Sequence, residues 1–194
     1  RRRFPRVRNA RLRAMLHDVV IVGAGPVGTT LALALAGGDA DVVVLDERAP
    51  GQTLRGDRSL ALSYGARLIL ERLGVWSAVS AVRDAATPIA RIDISQAGGF
   101  GQTTLVAEEQ GLPALGYVVS YRALQSALEA ALECTGMVVR HGVAVKGVGG
   151  APAFAAVELD DAGAQPVLGR LAAVADGSGA AMAGIVRQRH DYGQ

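Results

Sequence analysis

Three glycines and one acid carry the clearest chemistry in this chain. They lie in Asp18-Val-Val-Ile-Val-Gly23-Ala-Gly25-Pro-Val-Gly28-Thr-Thr-Leu-Ala32 and in Val42-Val43-Val44-Leu45-Asp46. Each has a physical job in a phosphate-binding turn. Gly23 permits a tight turn, Gly25 has no Cβ to hold a pyrophosphate off the backbone, and Gly28 and Ala32 let a helix pack close to its strand. The helix start adds unpaired N–H groups and the positive end of its dipole. Asp46, eighteen residues past Gly28, stands where an acid for a ribose hydroxyl is expected. A lone Gly-x-Gly-x-x-Gly says little. With strand, helix, second strand and acid all in register, the stretch reads as a dinucleotide site.

The elements that position these groups follow from periodicity. Residues 18–23 predict a first strand, 26–36 a helix and 41–46 a second strand, the β-branched runs fitting a buried parallel sheet. Residues 47–63 read as a polar connection, long enough to be functional. Tyr64–Leu73 predicts a short helix stopped by Gly74, offering Leu68, Leu70 and Leu73 to a core, with Trp76 as a core or rim aromatic. From Pro88 the period changes. Ile89, Ile92 and Ile94 lie among Arg91, Asp93 and Ser95, predicting a strand with one wet face. Gly98–Gly101 is then a turn and Gln102–Ala107 a return strand. Tyr121–Glu133 predicts an amphipathic helix with Leu124, Leu128 and Leu132 in line and Ser120 as N-cap. Met137–Arg140 and Val143–Val148 read as short strands, and Ala153–Leu159 with Val167–Ala175 as a hairpin around Asp160-Asp161-Ala162-Gly163.

Composition narrows the class. Half of the 194 residues are apolar and only 4% are aromatic, so the core must be Ala, Val and Leu. The formal charge of +2 and pI of 9.0 owe much to arginines 1, 2, 3, 6, 8, 11 and 13; without residues 1–14 the balance is 13 basic against 18 acidic residues. A nucleic-acid surface is therefore not supported. Cys134 is the single cysteine, which excludes an internal disulfide and fits a reducing compartment. The charge-free run Val19–Gly38 imitates an export signal or membrane span, but Gly23, Gly25, Pro26 and Gly28 interrupt it and a strand ending in an acid follows. Residues 1–14 are expected to be a disordered basic tail or upstream translation, with Met15 as the natural start. His17, His141 and His190 have no metal-ligand spacing, so no metal is expected. No catalytic nucleophile, triad or carboxylate pair stands out.

Several stretches resemble the flavin-dependent aromatic hydroxylases, the single-component FAD monooxygenases, and within them the ubiquinone-biosynthesis hydroxylases. They are Val20-Ile-Val-Gly-Ala-Gly-Pro-Val-Gly28, Asp57-Arg58-Ser-Leu-Ala-Leu-Ser63, Leu70-Glu-Arg-Leu-Gly-Val-Trp76, Ile94-Ser-Gln-Ala-Gly-Gly-Phe-Gly101, Ala114-Leu-Gly-Tyr-Val-Val-Ser-Tyr-Arg122, Ala175-Asp-Gly177 and Asp191-Tyr-Gly-Gln194. The Ser95–Gly101 and Ala114–Val119 pieces are most similar to the 2-polyprenyl-6-methoxyphenol hydroxylase branch. The resemblance implies an α/β fold: a Rossmann-like FAD-binding domain, with a parallel sheet, helices and a β-meander, plus part of an antiparallel substrate-domain sheet. The implied segments are 15–85 and 119–187 for the FAD-binding domain, 86–118 for an excursion into the substrate sheet, and 188–194 for the start of a substrate domain.

The same resemblance implies roles for residues. Gly23, Gly25, Pro26 and Gly28 would cradle the FAD pyrophosphate. Asp46 would bind the adenosine ribose; the family more often has Glu there, and Glu47 stays open as the alternative. Arg58 would contact FAD or the phosphates of NADPH, as a permanently charged fork can, with a surface ion pair to Asp57 or Glu71 as the plainer reading. Arg55 is a weaker candidate of that kind. Arg122 would approach the flavin; a solvated arginine at a helix start is the alternative. Asp176 and Gly177 match a second fingerprint serving FAD and NADPH, although Ala180 replaces the family's serine and Ser178 is left to supply its contact. The implied reaction has NADPH reduce FAD, O₂ add at the flavin C4a, and the distal oxygen pass to an electron-rich polyprenyl phenol. A cytoplasmic protein is expected, and a lipid-tailed substrate leaves open peripheral contact with the inner membrane or a ubiquinone-biosynthesis complex. The chain lacks a Gly-Asp-Ala-Ala-His motif and is expected to be an N-terminal half, inactive alone and unable to hold FAD stoichiometrically. Another FAD-dependent oxidoreductase, or an inactive Rossmann remnant, stays open as an alternative.

Overall fold

The computed structural model describes residues 15–52, 56–96 and 98–177. The chain divides into two compact units, Arg1–Gln52 with Thr135–Gln194, and Thr53–Cys134.

The first unit is a six-stranded sheet with covering helix. Its elements are β1 (Leu16–Val22), α1 (Pro26–Leu35), β2 (Val42–Asp46), β8 (Val138–His141), β9 (Val145–Ala151), β10 (Phe154–Leu159) and β11 (Val167–Val174). The strand order is β8-β2-β1-β11-β10-β9. β8, β2, β1 and β11 run parallel, while β9, β10 and β11 form an antiparallel meander. Val-Val-Val-Leu-Asp is buried at all five positions, which is how an apolar run behaves in a parallel sheet covered on both faces. One face packs Val20, Val22, Val43, Leu45, Val157 and Val167 into a cluster. The other receives α1, whose buried residues are the small Gly28, Thr29 and Ala32. The expected hairpin is present as the antiparallel pair β10 and β11.

The second unit holds β3 (Ser59–Ser63), α2 (Tyr64–Arg72), α3 (Trp76–Ala81), β4 (Ala86–Ile89), β5 (Arg91–Ser95), β6 (Gln102–Val106), β7 (Gly116–Ser120) and α4 (Tyr121–Glu133). β7 is the central strand of the antiparallel sheet β3-β7-β4. The α4 helix has the predicted bounds and cap: Ser120 Oγ accepts from the Ala123 amide at 3.1 Å, and Leu124, Leu128 and Leu132 are buried. Trp76 is buried and meets Tyr117 edge to face, with ring centroids 4.9 Å apart.

Three local expectations need correcting. The end of the predicted polar connection is strand β3, because Ser-Leu-Ala-Leu-Ser alternates and pairs in register from Ser59↔Ser120 to Ser63↔Gly116. Leu68 is exposed while Leu70 is buried, since α2 turns only a narrow stripe inward. The single strand expected around Ile89–Ser95 is two, β4 and β5, which pair with different partners, β7 and β6. All of β5 is exposed, Ile92 and Ile94 included.

Candidate functional site

In the first unit the site residues gather where β1 and β11 end. Gly23 has φ +98°, a conformation that favours glycine. Its amide donates to the Leu45 carbonyl at 2.7 Å, and a Cβ there would meet the Ala175 carbonyl oxygen at 2.7 Å and Asp176 Cα at 3.0 Å. The glycine turn therefore abuts Ala175 and Asp176, just past the β1–β11 register, with Gly177 next in the chain. A Cβ on Gly28 would fall on the Gly23 carbonyl oxygen, so this glycine sets the approach of α1 to the turn. Gly25 differs. Its backbone is ordinary extended chain, φ −69° and ψ −179°, and an added Cβ would meet nothing within 4 Å. The fold itself does not demand glycine at 25; the space it leaves open lies at the start of α1. That start has Pro26 in its first turn and no side-chain cap. The first-turn amides are thus available to an anion.

Asp46 is buried at the end of β2 and is hydrogen-bonded on both carboxylate oxygens. Oδ2 accepts from the Ala24 amide at 2.5 Å; Oδ1 accepts from the Arg48 amide and Nε, each at 2.9 Å. Arg48 Nη2 reaches Asp46 Oδ2 at 3.3 Å and donates to the Ala24 carbonyl at 2.9 Å. Burial pushes the Asp46 carboxyl up, but the hydrogen bonds from the Arg48 side chain and from the Ala24 and Arg48 amides outweigh it and hold the group below its ordinary value. Glu47 is exposed, and Asp46 is the acid in contact with the glycine turn. Sequence reasoning missed Arg48. Its only local signal is a basic residue two places after a strand-ending acid; its reach to Ala24 is a tertiary fact.

In the second unit β3 and β7 bring Arg58 and Arg122 to neighbouring positions. Asp57 accepts from the Ser120 hydroxyl at 2.7 Å and from the Arg122 amide at 3.1 Å, while the Tyr121 amide donates to the Arg58 carbonyl at 2.9 Å. The Arg122 amide and Ser120 hydroxyl, together with the nearby positive charge, hold Asp57 below the usual carboxylate range. Asp57 thus caps α4 and offsets the unfavourable arginine at its start, another role not read from sequence. Arg58 lies over the Tyr121 ring at 4.5 Å from the centroid. The ion pair weighed for it is not formed: Glu71 pairs with Arg67 at 2.8 Å, and among the described residues Arg58 has no carboxylate partner. Arg55, Ser178, Ala180, His190, residues 1–14 and residues 188–194 lie outside the described residues.

The family described as FAD binding domain matches residues 17–188. The chain belongs to that family. Among curated relatives, this FAD-binding chain is 36% identical over 120 residues to 3-demethoxyubiquinol 3-hydroxylase of Escherichia coli (strain K12), covering 60% of the chain and 30% of that protein. It is 37% identical over 117 residues to ubiquinone hydroxylase UbiM of Neisseria meningitidis, covering 54% of the chain and 24% of that protein. The chain thus spans less than a third of the length of either relative. Among solved structures, p-nitrophenol 4-monooxygenase PnpA from Pseudomonas putida DLL-E4 superposes with a TM-score of 0.63 at 18% identity, over 87% of this chain and 42% of that one. CtdE in complex with FAD gives 0.57 at 15% identity, over 83% and 38%. At these identities the likeness is one of fold: a mainly parallel sheet with added antiparallel sheets. The residues present fit the family's cofactor, because the turn leaves open space at Gly25 beside uncapped amides and an ionised acid.

Proposed function

We propose that the chain carries the FAD-binding part of an aromatic hydroxylase of ubiquinone biosynthesis, which uses NADPH and O₂ to hydroxylate a polyprenylated phenol. Gly23, Gly25, Pro26 and Gly28 cradle the pyrophosphate, and Asp46 takes the adenosine ribose. Asp176, whose Cα lies against Gly23, and the following Gly177 serve FAD and NADPH in this reading. Arg58 and Arg122 are the residues for an anionic group of FAD or NADPH, Arg58 held ready by Tyr121. The observation that carries this reading is the open Gly25 turn beside the ionised Asp46, in a chain of the FAD-binding family. Resemblance to named ubiquinone hydroxylases supports the substrate class. FAD supplies the redox centre at which O₂ is activated, so the protein needs no nucleophile of its own. The reaction balances as phenol, O₂, NADPH and a proton giving the hydroxylated ring, water and NADP⁺. Segment 86–118 belongs, in this reading, to the sheet of the substrate domain. No helix among the described residues is long and apolar enough to cross a membrane; peripheral contact with the membrane is part of this reading because the substrate is lipid-tailed.

Gly25→Ala separates fold from ligand. Its melting temperature should stay within a degree or two of wild type, because the backbone is compatible with alanine and the space is open. FAD affinity should fall about tenfold or more, since the new methyl stands in the way of the pyrophosphate. Substrate is tested by NADPH oxidation in the presence of a polyprenyl phenol, with oxygen from ¹⁸O₂ sought in the product. NADPH oxidation with no ring-bound ¹⁸O would leave another FAD-dependent oxidoreductase instead.

A further inference from the structure

Ala24 stands between the first two glycines, has no functional side chain, and is held at both its amide and its carbonyl. Its amide donates to Asp46 Oδ2. Its carbonyl receives two side-chain donors, Arg48 Nη2 and Thr29 Oγ1, each at 2.9 Å. Thr29 is fully buried on α1, and the same helix places Gly28 against the Gly23 carbonyl. Arg48 comes from the opposite side, after β2, and is itself tied to Asp46 at 2.9 Å. One peptide is therefore clamped from the helix and from the strand at once. A carbonyl fixed in this way fixes the direction of the following peptide, and with it the turn that presents the α1 amides.

We propose that Arg48 and Thr29 are positioning residues for the dinucleotide turn: converging on the Ala24 carbonyl, they preorganise the Gly23–Gly28 backbone for a pyrophosphate without touching it. The inference rests on the FAD reading above for the identity of the ligand, but the clamp belongs to the cofactor-free protein. Preorganisation raises affinity by removing an ordering cost that the ligand would otherwise meet. Both side chains act through Ala24, so they are coupled: the loss of one changes what the loss of the other costs.

The test uses the full chain with FAD and ADP as probes. Thr29→Val keeps the volume and removes the hydroxyl; Thr29→Ser keeps the hydroxyl and removes the methyl. The Kd for FAD should rise about fivefold in T29V and stay within about twofold of wild type in T29S. R48Q should weaken FAD about tenfold. The double variant T29V/R48Q should exceed the product of the two single effects. ADP should follow the same order, since it carries the pyrophosphate. In the cofactor-free protein, hydrogen exchange at the amides of residues 24, 25, 27 and 28 should quicken in T29V and not in T29S. A wild type that binds neither FAD nor ADP would sink the FAD reading, and the exchange measurement would still decide the clamp. Equal exchange in T29V and T29S, or FAD bound by wild type and T29V alike, would overturn the clamp, as would strictly multiplicative effects in the double variant. If R48Q does not fold, the valine–serine comparison decides alone.

Discussion

Two aspartates in this protein do the same local job under opposite conditions. Asp46 ends β2 in the first unit and takes the Ala24 amide; Asp57 precedes β3 in the second and takes the Arg122 amide. Each has an arginine close by in sequence, and each is held below its ordinary pKa. Asp46 is 5% exposed and bonded to the Arg48 guanidinium, whereas Asp57 lies open to solvent and its neighbours Arg58 and Arg122 use no side-chain donor on it among the described contacts. The difference teaches where each acid's worth lies. A buried carboxylate is costly unless its partners are complete, so Asp46 is tied into the turn and cannot be removed without leaving polar groups unmatched. An exposed carboxylate organises a helix start at small cost and leaves its arginines available to another anion.

Replacing Asp46 should have the largest effect. Asp46→Ala removes the acceptor for the Ala24 amide and leaves Arg48 half-buried without its carboxylate, so chemical denaturation should show a loss of about 3 kcal/mol, with FAD affinity falling as well. A loss below about 0.5 kcal/mol would mean that the clasp contributes nothing and that the two aspartates do not differ. The pH dependence sharpens the same point. Because the folded pKa is lowered, Asp46 stabilises the protein above the ordinary carboxylate value, and this contribution is lost as pH falls through the folded pKa. The gap in stability between wild type and Asp46→Asn should therefore be widest near neutral pH and narrow at acid pH; a gap that grew on acidification would reverse the sign of the argument.

Asp57→Asn comes next and should be milder. The side chain can still accept from the Arg122 amide, but the charge that offsets Arg122 at the α4 start is lost. The melting temperature should drop by less than in any Asp46 variant, and the deficit should shrink in high salt, because an exposed charge is screened and a buried one much less so. A salt-insensitive loss as large as that of Asp46 would erase the distinction between the two sites.

The two regions also differed in how far the sequence disclosed them. The glycine turn and the strand-ending acid were legible because each residue's role depends on neighbours within one βαβ unit. The same holds for Ser120 and the leucines of α4, where cap and stripe are local. What escaped was fixed by distance along the chain. Arg48 is 24 residues from the carbonyl it holds, and Asp57 is 65 residues from the amide it caps. Strand β3 was hidden because its alternation runs for only five residues at the end of a polar stretch, and pairing with β7 is what fixes it as a strand. The isoleucines of β5 carried a strand's period yet are exposed among the described residues, since periodicity reports which face is apolar and not how much packs on it.

The smallest expected effect concerns Arg58, and it addresses what an exposed cluster can do. Arg58 rests on the Tyr121 ring, a contact of about 0.5 kcal/mol at an exposed site. Tyr121→Leu should therefore change stability by no more than a few tenths of a kcal/mol beyond that, whereas Tyr121→Phe, which keeps the ring face, should be neutral. The informative measurement is functional. If Arg58 takes an anionic group of FAD or NADPH, the leucine variant should lose affinity for that ligand by two- to threefold while phenylalanine keeps it, because the ring limits the orientations of a long, flexible side chain. Arg58→Lys should fare worse than Tyr121→Leu, since it loses the planar fork as well as the stacking. Equal affinity in all three variants would make Arg58 a solvated surface charge, and the open cluster of the second unit would then be no more than the cap of a helix.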